Sequence, residues 1–422
     1  MSTILVIGAG GFLGSRVARF LAERPDTTVK AGTPAGGRPA PEGLIKAVAD
    51  VRDVRTLVAA MEGVDAVVNC ATGDRWVTVN GTQAILSAAR QAGVPRVVHL
   101  SSVVVYGQAS GLITEEQPLA PMADDPEAAL KAEAEGLCLT AMTEGQSVIV
   151  LRLPILFGAE CVQWAGLTAR RLASRRWGTL GDAGDGVCNA VDPRDVCAAV
   201  AAALDAPAGT QGAFNIRGPE PLTWNSFFER YNEALGLPPL LAQNLNGFGL
   251  RFLVGSLVRE TVSHLPQGSQ ALGGLMAETP TFRELDFFRL RADYAIDKAH
   301  SVLGWTPAIP FEDSLSQAAA WVRAGGLAEM LTKARTQGER AAASAPAPDE
   351  IGLPLPPLPD FLSSSRLPAF LTPDGLRRLA IVNRNTSLIR AQGILQDDDR
   401  SGTFFYSNQN DILAVVETQN CG

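Results

Sequence analysis

The residues best suited to chemistry are Gly8, Gly11 and Gly14, spaced G-x-x-G-x-x-G directly after the apolar run Ile4-Leu5-Val6-Ile7. A turn without side chains lets backbone amides approach a bound group closely. A helix opening at Phe12-Leu13 would aim its positive end at the same place, and that end attracts an anion. Between a strand and a helix, the expected anion is the diphosphate of a dinucleotide. The next strand ends at Ala31-Gly32-Thr33 without a carboxylate for ribose hydroxyls, and Arg38 follows closely. Thr33 and Arg38 therefore favour a 2′-phosphate, and NADP slightly over NAD.

That turn needs a sheet behind it. Short β-rich runs alternate with helical patterns over the first 200 residues, the signature of a doubly wound parallel α/β sheet of Rossmann type. Strands are expected over 4–8, 28–32, 45–49, 66–70, 96–101 and 147–152, with helices over 12–23, 54–61 and 80–92. Most of the strands are continuous apolar runs, as burial on both faces requires. Further helices are expected at 196–204 and 224–235, the latter capped by Thr223, and a strand at 213–217. Residues 240–277 are glycine-rich, apolar and unplaced by pattern.

Residues 341–359 read AAASAPAPDEIGLPLPPLP, an extended linker by proline content. The expected organisation is a domain over 1–330, including a substrate-capping part at about 160–325. A linker over 331–360 and a C-terminal extension over 361–422 follow. Within the extension, 373–392 suits a helix and 403–417 alternates like a hairpin. The tail is expected either to dock on the main domain or to engage a partner.

Composition excludes several classes. The net charge of −8 disfavours a nucleic-acid surface, and no apolar run reaches the length of a membrane span. Cysteines 70, 138, 161, 188, 197 and 421 form no C-x-x-C pair, so no metal site is expected. With no signal-peptide pattern, a cytoplasmic location is expected. Only five of the 36 basic residues are lysine. Arg170, Arg171, Arg175 and Arg176 around Trp177 read as a solvated helix face.

Further motifs join the glycine turn. Ala49-Asp50-Val51-Arg52-Asp53 follows the third strand, Asn69-Cys70-Ala71 ends the fourth, and Asn80-Gly81-Thr82 opens a helix. Ser101-Ser102-Val103-Val104-Val105-Tyr106-Gly107 ends the fifth strand, and Asp297 to Pro307 reads DKAHSVLGWTP. Over residues 1–325 these resemble the extended short-chain dehydrogenase/reductase (NAD-dependent epimerase/dehydratase) family. The resemblance implies adenine contact at Asp50 and Val51, and ribose contact at Cys70 and Ala71. Pro154 is implied beside the cofactor. It also implies a homodimer formed through the helices carrying Asn80 and Lys131.

The family pairs a tyrosine and a lysine as Y-x-x-x-K, with a serine on the preceding strand. Here Ser102 matches the serine and Lys131 the lysine, but Glu127 stands at the tyrosine position. A phenol beside an ammonium can exchange a proton near neutrality, whereas a carboxylate there is held ionised. Three readings stay open. Glu127 or Tyr106 supplies a base for epimerisation or elimination; Ser102 and water suffice for a modified redox step; or the chain is a catalytically silent dinucleotide-binding subunit or regulator with a partner-binding tail. As a first-turn residue after Pro126, Glu127 also suits the helix dipole. Arg152-Leu153-Pro154 with Ile155 lacks the asparagine of nucleotide-sugar enzymes. It resembles members that handle sterols and other apolar alcohols or ketones, so a small hydroxy or keto substrate, in specialised metabolism, is expected. Asp192 and Asp195 resemble a structural turn, and His99 reads as a packed strand residue.

Overall fold

The computed structural model describes residues 2–123, 125–174, 177–240, 280 and 282–326, and three later strands at 381–382, 401–406 and 412–417. Two compact units divide the chain, residues 1–254 with 277–330 and residues 255–276 with 331–422.

The first unit begins with β1 (Ser2–Ile7), α1 (Phe12–Ala22), β2 (Thr27–Thr33), β3 (Ile45–Val48) and α2 (Val54–Met61). It continues through β4 (Ala66–Asn69), α3 (Gly81–Gln91), β5 (Arg96–Ser102), β6 (Gly111–Ile113), α4 (Pro126–Thr143) and β7 (Val148–Leu153). The remainder holds α5 (Thr168–Ala173), β8 (Val187–Cys188), α6 (Pro193–Asp205), β9 (Gly212–Asn215), β10 (Leu222–Thr223) and α7 (Trp224–Ala234). It closes with α8 (Phe282–Arg289), β11 (Ala292–Tyr294), α9 (Asp297–Leu303) and α10 (Phe311–Arg323).

Seven strands form one parallel sheet in the order β3-β2-β1-β4-β5-β7-β9. Successive strands progress away from β1 in opposite directions, so the order reverses between β1 and β4. Ligands of such sheets bind outside the strand ends at that reversal. Alternation along each strand fills both faces. Ile4 and Val6 pack with Val17 and Leu21 of α1 and Val200 of α6. Leu5 and Ile7 pack with Leu57 of α2 and Ile85 of α3. Each such side chain contributes about 1.5–3 kcal/mol by leaving water.

A separate aromatic core gathers residues from the later part of the chain. Phe157, Trp177, Trp224, Phe227, Phe228, Tyr231, Phe288 and Phe311 are all buried in it. Trp224 lies 4.7 Å from Phe288, and Trp177 meets Phe228 edge-on at 5.5 Å. Thr223 caps α7 by accepting from the Ser226 N–H at 3.1 Å, as its residue type predicts. The strands β6, β8, β10 and β11 were not expected, because two or three residues are too few for alternation to show. The amphipathic helices α8 and α10 were also missed.

The acidic pair after residue 190 is structural. Asp192 caps α6 and binds Arg194 and Ser314. Asp195 accepts from the N–H groups of Ala308 and Ile309, while Trp305 Nε1 donates to its carbonyl at 3.1 Å. These bonds draw the 297–307 motif onto α6.

In the second unit, β12 (Ile381–Val382), β13 (Ser401–Tyr406) and β14 (Ile412–Glu417) form an antiparallel sheet in the order β12-β14-β13. The β13–β14 pairing agrees with the hairpin expected there. The helix expected over 373–392 is contradicted at Ile381–Val382, whose backbone pairs with Leu413 and Ile412 instead. Two adjacent β-branched residues favour an extended backbone over a helix. The rest of that segment, the proline-rich stretch and residues 241–277 lie outside the described residues, as do Arg175 and Arg176.

Candidate active site

The glycine turn sits where β1 ends, beside the end of β4. Gly8 has φ +80, and a Cβ there would stand 3.0 Å from the backbone of Cys70 and Ala71. A Cβ on Gly14 would meet the Gly8 carbonyl oxygen at 2.2 Å, so only glycine lets α1 start this close to the strand. Gly11 precedes α1 without a side-chain cap, and the first turn carries no acidic residue. The N–H groups of Phe12, Leu13 and Gly14 have no acceptor among the described residues. Bare donors at a positive helix end fit an anionic diphosphate.

Arg38 reaches this turn through its backbone. A Cβ on Gly10 would lie 2.5 Å from the Arg38 carbonyl, so the loop after β2 folds back against the glycines. The Arg38 side chain is exposed, and Thr33 ends β2 half-buried. Asp50 Oδ1 accepts from the Arg52 N–H at 2.9 Å, and Asp53 caps α2. Val51 is buried against Gly81, where a Cβ would be 3.0 Å away.

Two strands from β1 in the sheet, Ser102 ends β5 and caps the short turn Val103–Tyr106, accepting from the Val104 N–H at 3.4 Å. Asp125 caps α4, with Pro126 in its first turn. Lys131 follows in the second turn and makes no hydrogen bond or ion pair among the described residues. Burial holds its ammonium below the ordinary lysine range, with Glu127 and Cys70 opposing the shift. Burial also raises the Cys70 thiol. Pro154 directly follows β7, half-buried.

Glu127 is exposed in the first turn of α4, with no hydrogen bond or ion pair among the described residues. Tyr106 corrects an expectation, because its hydroxyl is not placed to serve as a base. It is 2% exposed, donates to Asn215 Oδ1 at 2.7 Å and accepts from Arg152. Burial raises its pKa, although the Arg152 charge works the other way. A buried hydroxyl whose proton is held by Asn215 and whose oxygen is held by Arg152 is not free to act on substrate.

Residues not singled out for the site surround this tyrosine. Arg152 binds Glu135 through two nitrogens, and Glu135 Oε2 accepts from Ser101 Oγ at 2.9 Å. Arginine in the otherwise apolar strand VIVLRL was the available signal, since a buried guanidinium requires a partner. His99 is buried as expected. Asn69 Oδ1 accepts from the Ala71 N–H, so its Nδ2 donates to His99 Nδ1 at 3.0 Å and the ring proton sits on Nε2. Burial, helped by the Lys131 charge, lowers the ring's pKa to about 3.

Residues 4–216 match the model of the NAD dependent epimerase/dehydratase family. The chain belongs to that family. It is similar to 2-alkyl-3-oxoalkanoate reductase of Stenotrophomonas maltophilia (strain K279a), 28% identical over 337 residues, covering 74% of this chain and 97% of the relative. Sterol demethylase protein B of Methylococcus capsulatus is 28% identical over 264 residues, 58% of this chain and 80% of that one. Among solved structures, dTDP-glucose 4,6-dehydratase of Bacillus anthracis in complex with NAD superposes with a TM-score of 0.57 at 19% identity. That match covers 76% of this chain and 97% of the other. It shares the fold.

Proposed function

We propose that the chain is a nicotinamide-dependent oxidoreductase acting on a small, apolar hydroxy or keto compound, with NADP(H) preferred. The observation that carries this reading is the glycine turn, whose unaccepted N–H groups face the sheet's reversal point. Arg38, exposed beside that turn, supports the 2′-phosphate preference. Thr33, Asp50, Val51, Cys70, Ala71 and Pro154 line the route from adenosine to nicotinamide in this reading.

When bound, the nicotinamide supplies or takes the hydride. Ser102 Oγ hydrogen-bonds the substrate oxygen, and Lys131 brings positive charge to the same end of the cleft. A desolvated ammonium gives up its proton more readily than a solvated one, so Lys131 serves as the acid in place of the missing phenol. Glu127 occupies the family's tyrosine position without a catalytic part. Its exposure in the first turn of α4, with no hydrogen bond or ion pair among the described residues, supports this assignment, although its charge acts on Lys131.

Two observations support an apolar substrate. The two relatives described above carry names that refer to an alkyl oxo acid and to a sterol. A groove of about 490 Å³ lies in the segment that follows the Ser102 turn in sequence, lined by Ala109, Pro118, Ala120 and Met122 together with Gln108 and Gln117. A homodimer through α3 and α4 fits the exposed Trp76 and Leu139, which sedimentation at micromolar concentration tests; a monomer there removes the dimer.

Calorimetry with NADPH and NADH tests the cofactor reading. Wild type is expected to bind NADPH more tightly, and Gly14→Ala to lose about five- to 150-fold in affinity, as an overpacking cost of about 1–3 kcal/mol at the turn implies. No heat of binding with either nucleotide removes the oxidoreductase reading. Binding without turnover favours the silent subunit.

A further inference from the structure

Beneath the cleft lies a continuous buried polar chain that the proposed chemistry does not itself use. Ser101 Oγ donates to Glu135 Oε2 at 2.9 Å, and Arg152 binds Glu135 Oε1 through Nε at 2.9 Å and again through Nη2. Arg152 Nη1 donates to the Tyr106 hydroxyl and to the Glu115 carbonyl, and that hydroxyl donates to Asn215. Asn215 in turn donates through Nδ2 to the Ile113 carbonyl at 3.1 Å, and its N–H meets Glu115 Oε1 at 2.8 Å. Glu135 is 0% exposed, Arg152 3%, Ser101 4% and Asn215 0%. Every named side chain in this chain is hydrogen-bonded, as such buried groups require.

The placement of its members matters more than their number. Ser101 precedes Ser102 on β5. Glu135 lies one helical turn beyond Lys131 on α4, on the same face. Arg152 precedes Pro154 by two residues at the end of β7. Strand alternation turns Ser101 away from the side Ser102 occupies, so the two serines divide the work between anchoring and contact. The Tyr106 ring stacks on Tyr294 of β11 at 5.8 Å, tying the same network to the capping strands.

We propose that Glu135 and Arg152 are positioning residues, whose buried pair fixes Ser102 on β5 and Lys131 on α4 at the separation the reaction requires. Ser101 is the link to β5, and the α4 backbone is the link to Lys131. Without the family's tyrosine, two groups must meet the substrate oxygen from different elements, so their relative placement carries more of the rate. This inference rests on the oxidoreductase reading, and its test separates the two.

The experiment uses the full chain and four variants, Ser101→Ala, Ser101→Thr, Glu135→Gln and the remote control Gln146→Met. The control removes a buried hydrogen bond to the Leu86 carbonyl away from the cleft. Three quantities are measured: melting temperature, NADPH affinity by fluorescence, and turnover of a 2-alkyl-3-oxo acid. Ser101→Ala is expected to lower kcat at least about tenfold, as small misplacements do, with NADPH affinity within twofold of wild type. Ser101→Thr restores kcat. Glu135→Gln lowers kcat and also weakens NADPH binding, because Lys131 shifts with α4, whereas Gln146→Met lowers only the melting temperature. The proposal is overturned if Ser101→Ala and Glu135→Gln keep wild-type kcat, or if kcat falls only in step with melting temperature across all four variants. Should wild type bind NADPH but not turn over the probe, the oxidoreductase reading fails. The positioning claim is then decided by affinity alone: weaker NADPH binding in Glu135→Gln, but not in Gln146→Met, sustains it, and equal binding removes it.

Discussion

Glu127 and Glu135 stand two turns apart on α4, on either side of Lys131, and their surroundings are opposite. Glu127 is exposed and makes no hydrogen bond or ion pair among the described residues, while Glu135 is fully buried and shared by an arginine and a serine. In sequence the first attracts notice, because it stands where a catalytic tyrosine is expected. In the structure the second has the stronger connection to the site. A carboxylate's importance follows from what is removed from water with it, not from its alignment with a family motif.

The largest test of this contrast removes one member of the buried pair. Arg152→Met leaves Glu135 uncompensated in the interior and is expected to cost about 3–5 kcal/mol of stability in urea unfolding. Glu127→Ala should leave the unfolding midpoint within experimental scatter of wild type. Equal losses in the two variants would erase the distinction between them.

A smaller effect concerns His99 on β5, which is hydrogen-bonded to Asn69 and close enough to Lys131 to feel its charge. The ring's pKa is lowered to about 3 in the folded chain, against about 6.5 unfolded. Below pH 6.5 the unfolded state therefore binds the extra proton, and stability falls as pH falls. His99 contributes up to about 1.4 kcal/mol per pH unit to that decline until pH nears 3. His99→Gln should flatten the slope between pH 6 and pH 4 in denaturant titrations. An unchanged slope would mean that the ring takes up a proton while folded.

The parallel sheet and the glycine turn were legible because both rest on local pattern. Unbroken apolar runs imply strands buried on two faces, and the spacing of Gly8, Gly11 and Gly14 implies a turn that side chains would block. Short strands such as β6 and β11 left no trace in the sequence, since their pairing depends on partners some 180 residues apart. The roles of Tyr106 and Arg152 were hidden for the same reason. Only the fold brings Asn215 to the tyrosine and Glu135 to the arginine, so motif matching alone left Tyr106 as a candidate base. His99 read correctly because its apolar neighbours are a local signal, whereas the structural reading of Asp195 came from resemblance, its partners Ala308 and Ile309 being distant in sequence.

The central claim is that hydride moves in this cleft with Ser102 and Lys131 serving the substrate oxygen and Glu127, at the tyrosine's position, taking no part. Its most direct test is mass spectrometry of deuterium transfer from 4-deuterated NADPH to a 2-alkyl-3-oxo acid, in wild type and Glu127→Gln side by side. Label in the hydroxy product at comparable rates for both chains is the predicted result. Label from wild type alone would make Glu127 the catalytic group and contradict the account, as would no label from either chain with cofactor bound.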